Sequence, residues 1–346
     1  FHQNGLTLTY FADEFTNTTA VGFDTMLFNV WNLALIIIAV YATFSIFQSE
    51  GAKAKILSGV LASAILAFLV YRAMGIEATA EISVAAPIFQ QFNPFYVVAL
   101  TPVSMAIFGA LARKGKEPSA PRKIAYGMLV AAIGFMIMAV GSNGLNTPNE
   151  QQRAIAVDKA EAFAKEYYTI AATAEDFETL KGDAEVAATI KPATDFMGKL
   201  NKNTRPVFFD VYNASVTVLK ANEAEDNAAV AEAEATLAAI KADTEPETRT
   251  SPYWLIFTYL ILTFAELLLS PMGISFVSKV APPKLKGLMM GGWFVATAIG
   301  NMLVAVGGFL WAGLPLWSVW TVFIVLCLLS ALFMFVMMKR LESATK

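Results

Sequence analysis

The sequence predicts an all-α polytopic membrane protein that carries a small helical domain outside the bilayer, and three observations lead to that fold class. Of the 346 residues, 56% are hydrophobic and only 15% are charged, whereas soluble domains average about half and a quarter. Seven apolar windows are long enough to cross a bilayer, which takes about 20 residues of helix. One stretch, residues 146–250, is instead polar, with 19 acidic and 11 basic residues.

The predicted spans follow one another along the chain with a polar interruption after the fourth. Ahead of them, residues 1–11 are apolar but too short to span, so they are expected to form the tail of a further helix that the chain enters part-way. The predicted spans are 26–47, 56–74, 84–112, 124–140, 252–277, 287–312 and 314–338.

The distribution of lysine and arginine predicts the orientation. When the spans alternate, thirteen of the 14 basic residues outside the polar stretch fall on one side, and only Arg72 lies opposite. Since cytoplasmic loops retain an excess of these residues, the C-terminus is expected in the cytoplasm. The polar stretch is then expected on the other side.

Three regions are therefore predicted. The first, residues 1–142, is one part of a membrane bundle; residues 143–250 form an extracytoplasmic insertion; residues 251–346 complete the bundle. Alanine and glutamate dominate the insertion, which favours three or four short helices, with breaks at 181–183, 191–192 and 205–206. Its role stays open between capture of a partner and a solvated domain without a ligand, and its acidic helices are more typical of the second.

Composition excludes several classes of function. The single cysteine, Cys327, and the single histidine, His2, exclude an intrachain disulfide, a multi-histidine metal centre and a triad that needs a histidine in the soluble region. An acidic polar region would repel nucleic acid. Neither of the common phosphate-binding glycine loops occurs, so the chain is not expected to be an ATP-driven pump. We expect no metal, no cofactor and no enzymatic activity.

Glu266 is the acidic residue that lies deepest in any predicted span. An ionised side chain at that depth costs at least about 2.5–3.5 kcal/mol, so such residues tend to face a cavity or a partner. Pro271, shortly after it, removes a helix hydrogen bond. The pattern favours a binding site near Glu266 over a purely structural carboxyl group.

Three other positions each allow two interpretations. Asn93, next to Pro94, is either a cap near the helix end or a ligand contact. Trp293 either lines a pocket or belongs to the interfacial aromatic belt. His2 is either a proton relay, since histidine titrates near physiological pH, or an ordinary polar residue near a chain end.

Five sequence motifs resemble those of the proton-dependent oligopeptide transporter family, and they occur in the order found in that family. The last two are the most specific. The motifs are FHQNG (1–5), FQQFNP (89–94), RKGKEPS (113–119), AELLLSPMG (265–273) and GLMMGGWF (287–294).

The resemblance implies the second six-helix bundle of a major facilitator fold, without the first. It makes the helix pair at about 26–74 additional to that bundle. It also implies roles for individual residues: Glu266 would receive the peptide amino group, Asn93 would hydrogen-bond the peptide, and Trp293 and Ser270 would line the pocket. His2 falls where many relatives carry an acidic residue linked to proton movement.

The function implied is inward transport of di- and tripeptides across a bacterial inner membrane, driven by the proton gradient. The expected partners are peptides, protons, the lipid bilayer and the absent N-terminal six-helix bundle; an extracytoplasmic protein partner stays open. Two alternatives remain: a transporter of the same fold for another small solute, and a non-transporting receptor or scaffold.

Overall fold

A computed structural model describes residues 5–183 and 185–344, and the chain divides into two compact units. One unit combines Phe1–Gly144 with Arg249–Lys346, and the other is Leu145–Thr248. Within the described residues, seven helical segments are long and apolar enough to cross a membrane. They coincide with the seven predicted spans, so the protein is an integral membrane protein.

The first part of the membrane unit begins with a short helix and continues through four long ones. Asn29 caps α2 by accepting hydrogen bonds from the backbone N–H groups of Trp31 and Asn32, which satisfies donors that a helix start leaves unpaired. The helices are α1 (Thr7–Glu14), α2 (Val30–Gln48), α3 (Ala52–Met74), α4 (Phe92–Arg113) and α5 (Ala120–Gly141).

Two short strands, which the sequence analysis did not anticipate, bracket the pair formed by α2 and α3. Strand β1 (Thr19–Val21) pairs antiparallel with β2 (Glu81–Ser83), with Thr19 opposite Ser83. The strands therefore join the segment before α2 to the segment after α3.

The unit Leu145–Thr248 is helical, as predicted, around its own aromatic core. Phe177, Phe208 and Tyr212 are fully buried there, and the Tyr212 hydroxyl donates to the backbone oxygen of Ala171 at 2.8 Å. Its helices are α6 (Pro148–Tyr167), α7 (Asp176–Leu180), α8 (Ala187–Lys199), α9 (Thr204–Glu223) and α10 (Asn227–Ala242).

This unit differs from the prediction in helix number and in one break. The described residues of the unit Leu145–Thr248 form five helices, whereas three or four were predicted. The break predicted at 191–192 is wrong, because Pro192 lies inside α8. Because Pro192 has no backbone N–H, the carbonyl of Ala188 has no helical donor. Ala188 is exposed in the first turn of the helix, so water can donate to that carbonyl instead.

The last part of the membrane unit contains α11 (Tyr253–Val280), α12 (Lys286–Met302), α13 (Ala305–Gly313) and α14 (Leu316–Ser343). The predicted span 287–312 is thus interrupted between α12 and α13. Around the interruption, the N–H of Val304 bonds the oxygen of Asn301, and the N–H of Val306 bonds the oxygen of Leu303. These bonds to the third residue back are tighter than α-helical ones and mark a bend.

Three glycines spaced seven residues apart allow α5 and α11 to pack closely. An added Cβ at Gly127 would lie 2.8 Å from Leu269 Cγ and 3.0 Å from the backbone oxygen of Ala265. At Gly134 it would lie 2.8 Å from Leu262 Cδ2, and at Gly141 it would meet the indole of Trp254 at 2.7 Å.

Small residues at such a spacing let helix backbones approach in a membrane. Leu262, Ala265 and Leu269 therefore lie on the side of α11 that packs against α5.

Candidate functional site

The candidate site is built on one face of α11. Thr263, Glu266 and Ser270 follow one another at intervals of three and four residues, so they lie on one side of the helix. Glu266 is near the midpoint of this 28-residue helix. Thr263 is fully buried, Glu266 is half-buried and Ser270 is exposed. Exposure therefore increases along this face of α11 from Thr263 to Ser270.

Asn93, in the first turn of α4, joins this face through its side-chain amide. Its Nδ2 atom donates to Glu266 Oε2 at 3.1 Å and to Thr263 Oγ1 at 3.2 Å. An amide nitrogen has two hydrogens, so both donors of Asn93 are used. Its Oδ1 atom has no partner among the described residues and remains able to accept a hydrogen bond.

Glu266 has no cationic partner within residues 5–183 and 185–344. The ion pairs of that part of the chain involve other acids, and the only hydrogen bond to its carboxyl group there comes from Asn93. A half-buried acid without a basic neighbour is costly unless a ligand or a proton neutralises it. The site can therefore receive a cationic group.

Trp293, on α12, packs against α11 at Gly273. An added Cβ at Gly273 would lie 2.3 Å from Trp293 Cη2 and 2.5 Å from Cζ2, so only glycine leaves room for the indole at that position. Gly273 is seven residues beyond Glu266 and lies on a similar side of α11. The contact fixes the large ring of Trp293 about two helical turns from Glu266.

Pro271 does not end α11, which continues to Val280. Because proline has no backbone N–H, the carbonyl of Leu267 lacks its usual helical donor. A backbone acceptor is thereby left without its helical partner one residue after Glu266.

The structure brings some of the predicted site residues together and not others. Asn93 and Glu266 are in direct contact, and Ser270 is one turn from Glu266. Trp293 packs against Gly273, further along α11. His2 lies outside the described residues.

Two residues that the sequence analysis did not single out belong to this arrangement. Thr263 shares the Asn93 amide with Glu266, and its spacing of three residues from Glu266 could have indicated it. Gly273 was not recognisable from spacing alone, because its importance comes from contact with a different helix.

The sequence model of the POT family (PTR2) matches residues 56–189 and 227–308. The chain belongs to the POT family. The matched ranges include Asn93, Glu266, Gly273 and Trp293, so the candidate site of this POT-family protein lies within the matched part of the chain.

Several curated proteins are similar to parts of the chain. It is 34% identical over 102 residues to "Peptide transporter YePEPT" of Yersinia enterocolitica, covering 28% of this chain and 20% of that protein. It is 42% identical over 65 residues to "Dipeptide and tripeptide permease B" of Salmonella typhimurium, covering 17% and 13%. "Solute carrier family 15 member 2" of Rattus norvegicus is 32% identical over 101 residues, covering 29% and 14%.

The chain thus aligns with a fifth or less of the length of each of these relatives. No solved structure matches the chain.

Proposed function

We propose that this POT-family chain is the C-terminal membrane part of a secondary transporter that imports di- and tripeptides, driven by the proton gradient. The single observation that carries the proposal is the half-buried carboxyl group of Glu266, which Asn93 orients and which no basic side chain of the described residues neutralises. A peptide amino group supplies the missing positive charge. The names of the relatives, which include a peptide transporter and a dipeptide and tripeptide permease, support this substrate class.

Each polar group of the site has a task in this proposal. Glu266 pairs with the peptide ammonium, a charge-assisted interaction stronger than a neutral hydrogen bond. The free Oδ1 of Asn93 accepts from a peptide N–H group. Trp293 offers a broad apolar surface that tolerates varied side chains, and Ser270 borders the opening. His2 is the proton-coupling candidate, because its imidazole changes charge near physiological pH.

Transport itself requires the N-terminal six-helix bundle that the resemblance implies. The two bundles would rock about a site near the bilayer midplane, exposing it to one side and then to the other. The distribution of lysine and arginine favours an inner-membrane orientation with the C-terminus in the cytoplasm and the unit Leu145–Thr248 in the periplasm. The energy comes from the proton gradient, and no cofactor is required.

The proposal is tested by measuring uptake of a labelled dipeptide into liposomes that contain the full-length protein under an inward proton gradient. Glu266→Gln is expected to lower uptake about ten- to a hundredfold, because a hydrogen-bonded charge contributes about 1.5–3 kcal/mol. Glu77→Gln, at an exposed acid outside the predicted spans, is the matched control and should transport normally. Unchanged uptake by Glu266→Gln would refute the assignment.

The same experiment separates the two alternatives. A transporter of anionic solutes is disfavoured, because the unpaired acid would repel its cargo, and such a solute should not compete with the dipeptide. A receptor or scaffold would show no gradient-dependent uptake of any of these solutes.

A further inference from the structure

The helices α2 and α4 are joined where both begin and are separated by a cavity further along. Near their starts, the ring of Phe28 packs edge-on against Phe89 and Phe92, with centroid distances of 5.3 and 5.8 Å. Gln91 Nε2 also donates to the backbone oxygen of Phe28 at 3.4 Å. The two helices therefore run in the same direction from a fixed end, and the cavity lies toward their other ends.

The cavity has a volume of about 420 Å³, within the range of small-ligand sites. Its wall changes in character along the helices, since apolar and aromatic side chains give way to hydroxyl and amide groups near the end of α2. The lining residues are Tyr41, Phe44, Ser45, Gln48, Ser49, Thr101, Pro102 and Met105.

The polar end of the cavity holds a group that is available to a ligand. Ser45 is already engaged, because it receives a hydrogen bond from Ser58 of α3 at 3.0 Å and lies 3.2 Å from the Ser49 hydroxyl. The exposed Gln48 amide, by contrast, has no hydrogen-bond partner among the described residues. Its NH₂ group can donate to an anionic oxygen.

Positive charge lies next to this polar end. Lys55 is three residues before Ser58 and so shares the face of α3 that contacts Ser45. Lys53 is one half-turn further toward the helix start, and neither lysine forms an ion pair with another described residue. Glu50, in the connecting turn, offsets one of the two charges, which leaves the region net positive.

The depth of the cavity in the bilayer limits which molecules can occupy it. The turn between α2 and α3 connects two spans, so it lies at the membrane surface, and Tyr41 lies about 12 Å deeper than Ser49 at 1.5 Å per residue. Water does not fill an apolar crevice at that depth. A lipid molecule satisfies both ends, because its chain is apolar and its headgroup is polar.

We infer that this cavity binds an anionic phospholipid. Its acyl chain lies along Tyr41, Phe44 and Met105, and its phosphate is held by Gln48 and Lys55 at the membrane surface. The lipid fills the gap between the additional helix pair and α4. This inference is independent of transport, since it concerns a different face of the membrane unit from Glu266.

Native mass spectrometry of the full-length protein tests the inference. Delipidated protein is offered equal amounts of phosphatidylglycerol and phosphatidylcholine with identical chains, and phosphatidylglycerol should be retained about tenfold better. Lys53→Gln with Lys55→Gln should remove that preference, because each lysine near a headgroup contributes roughly a fivefold gain. Lys114→Gln with Lys116→Gln, in the loop after α4, removes the same charge elsewhere on that side and should leave the preference intact.

Two variants test the cavity itself. Thr101→Trp fills the middle of the cavity, and Gln48→Trp, at an exposed position, covers its mouth with less risk to folding. Both should reduce retention of either lipid, while the melting temperature shows that each variant is folded. Equal retention of the two lipids, equal loss in the Lys114/Lys116 control, or normal retention in both tryptophan variants would overturn the inference.

Discussion

Asn93 connects two helices at the candidate site through one side-chain amide. Its two donors serve Glu266 and Thr263, so removing the amide deprives the carboxyl group of its orientation and leaves the buried Thr263 hydroxyl without that donor. Asn93→Ala should therefore weaken dipeptide binding about tenfold or more, since losing a hydrogen bond to a charged group costs about 1.5–3 kcal/mol.

Equilibrium binding of a labelled dipeptide to the purified full-length protein measures this effect. Asn201→Ala, in the unit Leu145–Thr248, removes an amide of the same kind and serves as the control. Wild-type affinity in Asn93→Ala would show that Asn93 does not support the site.

Gly273 determines where the ring of Trp293 can lie. An added methyl group would be 2.3 Å from that ring, so Gly273→Ala must displace either the indole or α12. We expect a severalfold change in the relative affinities for dipeptides with bulky and small side chains, measured by competition. Gly109→Ala is the control, because its added Cβ would meet only the end of Arg113 at 3.8 Å; the same change in both variants would contradict the proposed contact.

Glu178 gives a pH-dependent prediction in the unit Leu145–Thr248. A hydrogen bond from Lys181, together with the charges of Lys181 and of the Arg205 guanidinium, lowers the pKa of its carboxyl group below the ordinary value of 4.5. A lowered pKa in the folded state means that the stabilisation is present above about pH 4.5 and is lost as the pH falls through the folded-state value.

Glu178→Gln should consequently lower the melting temperature slightly at pH 7 and by less at pH 3, because protonation of the carboxyl group removes its interaction with the two cations. The effect should be small, because the pair is exposed and screened. Thermal unfolding followed by circular dichroism measures it, and an equal difference between the two proteins at both pH values would contradict the linkage.

At the scale of helices, Gly127, Gly134 and Gly141 of α5 allow this helix to pack closely against α11. Gly127→Ala would bring a methyl group to 3.0 Å from the backbone oxygen of Ala265, which cannot move as freely as a side chain. Overpacking of this kind costs typically about 1–3 kcal/mol. The melting temperature of the purified protein should fall, whereas Gly109→Ala should leave it nearly unchanged; equal melting temperatures would show that α5 and α11 are not closely packed.

The spans were predictable from sequence because their signal is local. A run of about 20 apolar residues has few alternatives to a membrane helix, so all seven were placed correctly. The break between α12 and α13 was not predicted, because the glycine and asparagine residues near it also occur in straight helices. The strands β1 and β2 escaped detection for another reason: three residues are too few to show a periodicity, and the partners are far apart in sequence.

The candidate site was predictable in part for the same reasons. Glu266 stands out because an acid in an apolar helix is rare. The joint contact of Asn93 with Thr263 and Glu266 depends on how α4 meets α11, which no local pattern specifies. Gly273 gains its importance from Trp293 of another helix, and the motif resemblance did not supply that contact.

At the scale of the whole molecule, the unit Leu145–Thr248 has an aromatic core of its own, and its two ends are joined. Asn146 Nδ2 donates to the backbone oxygen of Pro246 at 2.8 Å, and Gln151 Nε2 donates to that of Thr248 at 2.9 Å. We expect residues 145–248, expressed alone, to be helical by circular dichroism and to unfold cooperatively on heating. A spectrum without helix would show that this unit depends on the rest of the chain.

The central claim is that Glu266 meets the positive end of a cargo, and it is tested most directly by comparing a dipeptide with its N-acetylated form. Acetylation removes the positive charge and keeps the rest of the molecule. The full-length protein should bind the free dipeptide about ten- to a hundredfold more tightly than the acetylated one, and Glu266→Gln should bind both alike. If Glu266→Gln keeps the full preference for the free amino group, the carboxyl group of Glu266 is not its receptor.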